Sequence, residues 1–373
     1  MVYLFDIKMA MIIFPFVALL ITFPVLLWHY HRFGAVSRWS ILMLYSFIFY
    51  LMCAYFLIIL PLPSVAEVAK LTTPKYNLQP LMFVRQFIKY SPLQVTNIHT
   101  WIATIKSPTV IQPLFNVFLT IPFGFYLRAY FRKSWRQTLL MAFCLSLFFE
   151  LTQLSGDYGF YPRPYRLFDV DDLLLNTTGG IVGFWLTGWV LPLLPTSEHI
   201  TERLQIQSRQ VSTFRHATAL VVDLISLAMV NSGLLIFASL ARLTVESVAQ
   251  PIALFALILV ILLPQLAWHQ TLGMRLVHLK VTTVGGELAP TKAIITRWLI
   301  GYSMFILPAV IGSIAAVIDH TSILYSILGA VMFIYVAIVI IVFGLDLMID
   351  LFRPSHALLF ERWSKTRLQS SYA

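Results

Sequence analysis

The sequence predicts an all-α fold, a polytopic membrane bundle of about nine spanning helices in two domains, and three observations carry that prediction. Hydrophobic residues make up 59% of the 373 residues, charged residues only 11%, and the mean hydropathy is +0.82. A soluble chain would carry about a quarter charged residues. Apolar runs of around 20 residues recur along the chain, each long enough to cross the roughly 30 Å hydrocarbon core as a helix. The net charge of +10 comes from Lys and Arg placed in short connections between those runs, where basic residues fix orientation. That placement excludes nucleic acid as the reason for the charge.

The expected spans are roughly 9–28, 41–60, 110–127, 137–154, 173–194, 216–240, 251–268, 298–318 and 323–345. Connections 29–40, 128–136, 195–215, 269–297 and 346–373 hold the larger share of the 26 Lys and Arg. By the positive-inside rule they are cytoplasmic, which puts the amino terminus outside and the carboxyl terminus inside. Met9 to Trp28 ends without a small-residue cleavage site and reads as an anchor. The polar stretch after Pro195 is the best boundary, giving domains over 1–195 and 215–373 with a cytoplasmic linker over 196–214.

The connection 61–107 contains Pro61, Pro63, Pro74, Pro80 and Pro92 and cannot be one helix. Within it, Leu81 to Tyr90 winds with Arg85, Gln86 and Lys89 on one side and Leu81, Phe83, Val84, Phe87 and Ile88 on the other. That pattern fits a helix lying in the outer interface or a lid packed on the bundle.

Polar groups at membrane depth are costly and mark function by default, which directs attention to 146–183. Glu150 and Gln153, three residues apart, share a helix face. On the next helix Asp169, Asp172, Asn176, Gly180 and Gly183 fall on one stripe, joined by Gly179. Gly179 and Gly183 form a small-xxx-small pair that admits another helix closely. Asp171 points elsewhere and is expected to be solvated. The aspartates suit a helix start, where carboxylates cap free N–H groups. Glu150, near a helix end, needs a partner: Arg163 or Arg166 in the loop is close enough in sequence to supply one, and otherwise the carboxyl is expected to be neutral. Tyr158, Phe160, Tyr161, Tyr165 and Phe168 beside those arginines fit either phosphate and sugar recognition or an interfacial aromatic belt.

This segment resembles the VanZ-like family of membrane proteins. The resemblance rests on Asn116 with Pro122 and Gly124, on Glu150 and Gln153, and on Arg166, Asp169, Asp172, Asn176, Gly179, Gly180 and Gly183. It covers roughly residues 40–190, and the family is named for a gene linked to teicoplanin-type glycopeptide resistance. It implies a multi-pass protein of the bacterial plasma membrane and cell envelope, with no established reaction.

In the second half, Arg215 and Asp223 share a helix face across Ala219. Arg215 is expected to snorkel to the surface, and Asp223 needs a buried partner. Gln270-Thr271-Leu272-Gly273 begins an inner loop, and Arg297 opens the eighth span. This half resembles the RDD family of membrane domains, with Arg215 and Asp223 matching the arginine and first aspartate. Glu361 stands where that family's second aspartate is expected, and ion exchange has been associated with some of its members. Asp346, Asp350 and Arg353 read as a surface ion pair, and His29 and His31 as solvated.

Cys53 and Cys144 lie in apolar spans, and the sequence contains no Gly-rich phosphate loop, zinc-type spacing or nucleophile elbow. It therefore assigns no catalytic residue, no metal ligand set and no cofactor. The expected function is recognition of an envelope lipid or lipid-linked glycan precursor through Glu150, Gln153, Arg163, Arg166, Asp169, Asp172 and Asn176. Membrane lipids, a lipid-linked cell-wall precursor or a lipoglycopeptide are the expected partners. The alternatives are a proton- or sodium-coupled transporter using Glu150, Asp223 and Glu361, a lipid-phosphate enzyme holding a divalent cation on Glu150, Asp169 and Asp172, and a scaffold.

Overall fold

The computed structural model of the chain describes residues 2–315, 318, 321–350 and 358–372. The fold is an all-α polytopic membrane bundle. Among the described residues, eight helices are long and apolar enough to cross a membrane. A ninth span results if Thr291–Gly301 and Ser303–Ala315, bent by 74°, are counted together. The straight helix expected over 298–318 is therefore broken at Tyr302, which follows a glycine of low helix propensity. Residues 316 and 317 of that expected span lie outside the described residues.

The chain forms two compact units, Met1–Ile21 with Ser37–Ile200, and Thr22–Val36 with Thr201–Ala373. The first contains the start of α1 (Val2–Phe33), then α2 (Arg38–Ile59), α3 (Val65–Ala69), α4 (Met82–Tyr90), α5 (His99–Ile105) and α6 (Pro108–Ala129). It continues with α7 (Trp135–Leu154), α8 (Gly156–Gly159) and α9 (Val170–Val190), and α10 (Ser197–Ser208) follows at the unit boundary. Two short strands, β1 (Tyr76–Asn77) and β2 (Phe168–Asp169), pair in parallel and tie the long connection to the start of α9.

Local sequence sets these ends. Pro108 opens α6 at a position where a missing N–H costs nothing. Ser134 and Gln137 form a capping box at the start of α7, and Asp169 caps α9. The α6–α9 contact is backbone on backbone. A Cβ on Gly179 would run into the Val117 carbonyl oxygen, one on Gly183 into that of Ile121, and one on Gly124 into that of Gly180. Gly180 instead turns to α7, where an added Cβ would lie 2.6 Å from the Ala142 Cβ. The glycine stripe thus packs α9 into the groove between α6 and α7.

The second unit contains α11 (Thr213–Leu240), α12 (Val245–Leu257), a π-helical turn Ile258–Leu262, α13 (Leu263–Trp268) and α14 (Leu272–Leu276). After β3 (Leu279–Thr283) come α15 (Thr291–Gly301), α16 (Ser303–Ala315), α17 (Ile323–Asp350), α18 (Leu359–Ser364) and β4 (Thr366–Ser370). β3 and β4 pair antiparallel, from Leu279 opposite Ser370 to Thr283 opposite Thr366. Val277, Leu279, Val281 and Ile294 are fully buried there with Tyr30, Ala219, Met274 and Leu368.

Gly183→Ala should lower the thermal unfolding midpoint of the purified protein, at a cost of about 1–3 kcal/mol from overpacking. Gly233→Ala, inside α11 where an added Cβ meets nothing within 4 Å, should leave it unlowered or raise it slightly.

Candidate functional site

Ser146, Glu150 and Gln153 recur at helical spacing on α7, and all three are buried. A carboxylate there needs donors, and the donor is backbone: Glu150 Oε2 accepts the Asp169 N–H at 2.9 Å, at the start of α9. The expected partnership with Arg163 or Arg166 is thus replaced by a helix N-terminus, whose free N–H groups favour a carboxylate. Asp169 in turn accepts the Asp171 N–H at 2.9 Å and Asn77 Nδ2 at 3.1 Å. Asp171, expected in solvent, is 3% exposed and accepts the N–H groups of Leu81 and Phe83 at 2.6 and 2.9 Å. It clamps the start of α4, the amphipathic helix of the long connection. Each acidic group therefore holds the backbone that begins the next segment.

The loop after α7 latches onto residues 59–73. Tyr165 Oη donates to the Ile59 carbonyl at 2.8 Å, Tyr161 Oη to Pro63 at 2.8 Å, and Arg166 Nη2 to Leu60 at 2.9 Å. Arg163 donates to the carbonyls of Leu71 and Thr73. It lies away from the cavity described next, because two chain carbonyls already take its guanidinium. Residues 156–159 make a left-handed turn, with Asp157 at φ 53° and Tyr158 at φ 59°. Burial pushes the Asp157 carboxyl above the usual aspartate range, against the lowering influence of Tyr165 and Arg166.

At the end of the unit where α2 and α7 finish and α6 and α9 begin lies a cavity of about 440 Å³. Its polar lining is Gln112, Asn116, Glu150, Gln153, Arg166, Asp172 and Asn176, and its apolar lining includes Leu57, Ile58, Phe115 and Leu119. Asn116 Nδ2 donates to Asp172 Oδ1. Asn176 Nδ2 donates to Ser146 Oγ at 3.0 Å, and Ser146 Oγ donates to the Asp172 carbonyl at 3.2 Å. Thr120 Oγ1 reaches the Asn176 carbonyl at 2.6 Å. Gln153 Nε2 donates to the Ile58 carbonyl at 3.3 Å. Asn176 is 3% exposed, and its Oδ1 has no hydrogen-bond partner among the described residues.

The structure thus brings Glu150, Gln153, Arg166, Asp172 and Asn176 to one cavity, and leaves Arg163 and Asp169 outside its lining. Glu150, Asp169 and Asp172 do not form a common ligand set. Among the described residues, no group of three or more His, Cys, Asp or Glu is placed to hold a metal ion. Gln112, Asn116 and Ser146 are additions to the sequence-derived set. Ser146 had a legible signal, one turn before Glu150 on the same face. Asn116 was marked by the VanZ-like resemblance, but its bond to Asp172 was not legible, because that partner is 56 positions away.

In the second unit Arg215 does not snorkel. It is 0% exposed, and each of its five N–H donors is used, by the carbonyls of Val277, Ser208, Gln210 and His278 and by Ser370 Oγ. Asp223 accepts Thr271 Oγ1 at 2.6 Å and the Gly273 N–H at 2.7 Å. Glu361 pairs with buried Arg297 at 3.0 Å. Asp223 and Arg297 line a second cavity of about 300 Å³ with His216, Tyr302 and Gln265, whose Oε1 is buried without a partner among the described residues. His29 is 2% exposed rather than solvated, held on the Val25 carbonyl within its own helix. Asp346 is also buried and pairs with Arg362 at 2.7 Å. Arg353 and the side chain of Asp350 lie outside the described residues.

Asp171→Ala removes the clamp on α4. Hydrogen exchange of residues 81–90 should rise by about the factor of five that a lost cap of ~1 kcal/mol allows, while α7 and α9 exchange as before.

No curated protein and no solved structure matches the chain. Residues 47–191, which hold α6, α7, α9 and every residue lining the first cavity, match the VanZ/LLP1 family model, and it is to that family that this part of the chain is similar.

Proposed function

We propose that the first unit is a receptor domain of the bacterial cell envelope that recognises the headgroup of an envelope lipid or a lipid-linked glycan precursor, and that this changes susceptibility to teicoplanin-type glycopeptides. One observation carries the reading. A cavity lined by both polar and apolar side chains opens among spanning helices, and Glu150 and Asp172 in its lining each have one carboxyl oxygen that takes no hydrogen bond from the described residues. Those oxygens are acceptors that the donors of a ligand headgroup would satisfy. The apolar wall suits the neighbouring hydrocarbon of an amphiphile. The similarity to the VanZ/LLP1 family over the same residues supports the glycopeptide connection. With the basic connections taken as cytoplasmic, the cavity faces the outer leaflet, and the amino terminus lies outside with the carboxyl terminus inside.

Glu150→Ala and Asp172→Ala, expressed in a bacterial host at membrane abundance equal to wild type, should each abolish the shift in teicoplanin susceptibility that wild type produces. Retention of the full shift by both variants refutes the reading.

A second reading concerns the other unit, where Asp223 and Gln265 line one cavity beside a π-helical turn and the 74° break before α16. Discontinuous helices around a buried carboxylate are a recurring transporter device. Together with the RDD resemblance of 215–373, they favour proton- or sodium-coupled ion exchange. On this reading, proteoliposomes should show pH-dependent cation flux that falls at least about tenfold in Asp223→Asn. Equal flux in the variant counts against it.

A further inference from the structure

Three of the four side-chain amides lining the first cavity have their orientation set by a partner. Asn116 Nδ2 is spent on the Asp172 carboxylate, Gln153 Nε2 on the Ile58 carbonyl, and Asn176 Nδ2 on Ser146 Oγ. These orientations are dictated by the partners. A carboxylate and a carbonyl only accept, and Ser146 has already directed its proton to the Asp172 carbonyl. Each of these amides spends one N–H on the protein and keeps a second, so Asn116 and Gln153 bring both a donor and an acceptor to the lining, while Asn176 Oδ1 is itself buried from solvent.

The carboxyl groups follow the same pattern. Glu150 uses one oxygen on the Asp169 N–H, and Asp172 uses one on Asn116. Their second oxygens take no hydrogen bond from the described residues. Among the charged groups lining the cavity, only Arg166 donates, and it has spent Nη2 on the Leu60 carbonyl. The lining therefore offers two free carboxyl oxygens against one partly used guanidinium, with amides that both donate and accept, a set that suits groups able to do both.

We infer that the cavity selects a hydroxyl-rich group, the polyol or sugar ring of a glycosylated molecule, rather than a phosphate; this rests on the lipid-headgroup reading above. An ionised phosphate brings acceptors only and would meet acceptors, two of them on acidic side chains. A sugar brings several O–H donors for those oxygens and hydroxyl oxygens for the remaining N–H groups of Arg166. A simple ammonium would donate as well, but it could not accept from Arg166 and would face its charge. Phe115, Leu119 and Leu57 offer the apolar surface against which a sugar ring face or the first methylenes of a chain pack.

The test uses the full-length protein in phosphatidylcholine nanodiscs, titrated with monoglucosyl diacylglycerol or with phosphatidic acid of the same acyl chains. Methyl glucoside and inorganic phosphate serve as soluble competitors. The glucosyl lipid should bind at least about tenfold tighter than phosphatidic acid, and methyl glucoside should displace it while phosphate does not. Displacement of the lipid identifies the headgroup rather than the chain as the recognised part. Gln112→Lys, at an exposed position of the wall, adds a cation and should narrow or reverse the preference. Asp172→Asn should weaken glucosyl lipid binding about tenfold with the unfolding midpoint retained. Equal or tighter binding of phosphatidic acid to wild type, or competition by phosphate, overturns the inference while leaving lipid recognition intact. Absence of saturable binding by either lipid overturns both.

Discussion

The architecture of the first unit depends on the contact between α6 and α9. Glycine at 124, 179 and 183 lets the two backbones meet with no Cβ between them, each glycine facing a carbonyl of the opposite helix. In a bilayer, where lipid tails are as apolar as leucine, such close approach replaces the hydrophobic effect as the source of helix association. It also sets the spacing of side chains further along the same helices. Asn116 reaches Asp172, and Thr120 reaches the Asn176 carbonyl, because α6 and α9 are already pressed together one turn away.

The acidic residues near that contact have two distinct uses. Glu150, Asp169 and Asp171 satisfy backbone N–H groups at the beginnings of segments, which low-dielectric surroundings would otherwise leave costly. Asp172 instead joins side chains from α6 and α9 around the cavity. Burial of the first group is therefore structural in cause, and their removal loosens the frame. Glu150 belongs to both sets, since it caps α9 with one oxygen and lines the cavity. The cavity lining and the frame that holds it share one side chain.

In the second unit the organising group is Arg215. A buried guanidinium with all five donors taken joins the start of α11 to the chain around 208–210, to the turn at 277–278 and to β4. Arg297 plays the same part between α15 and α18 through Glu361, and stacks on the Phe360 ring at 4.7 Å. Arginine suits both places because its planar fork satisfies several carbonyls at once and stays charged when buried.

Composition and periodicity alone determined that the chain is a helical membrane bundle, where most spans lie, and that Glu150, Gln153, Asp172 and Asn176 share inward faces. Those are local properties, set by the 3.6-residue repeat and by the cost of exposing polar groups to lipid. Partners across long separations were decided only by tertiary structure. Asp171 meets Leu81 and Phe83 some 90 positions away, Arg163 turns from the cavity to the 71–73 carbonyls, Arg215 is buried rather than at the surface, and Tyr302 breaks a span that reads as continuous. A periodic pattern says which way a side chain points from its own helix. It carries no information about which donor or acceptor the rest of the chain brings to meet it.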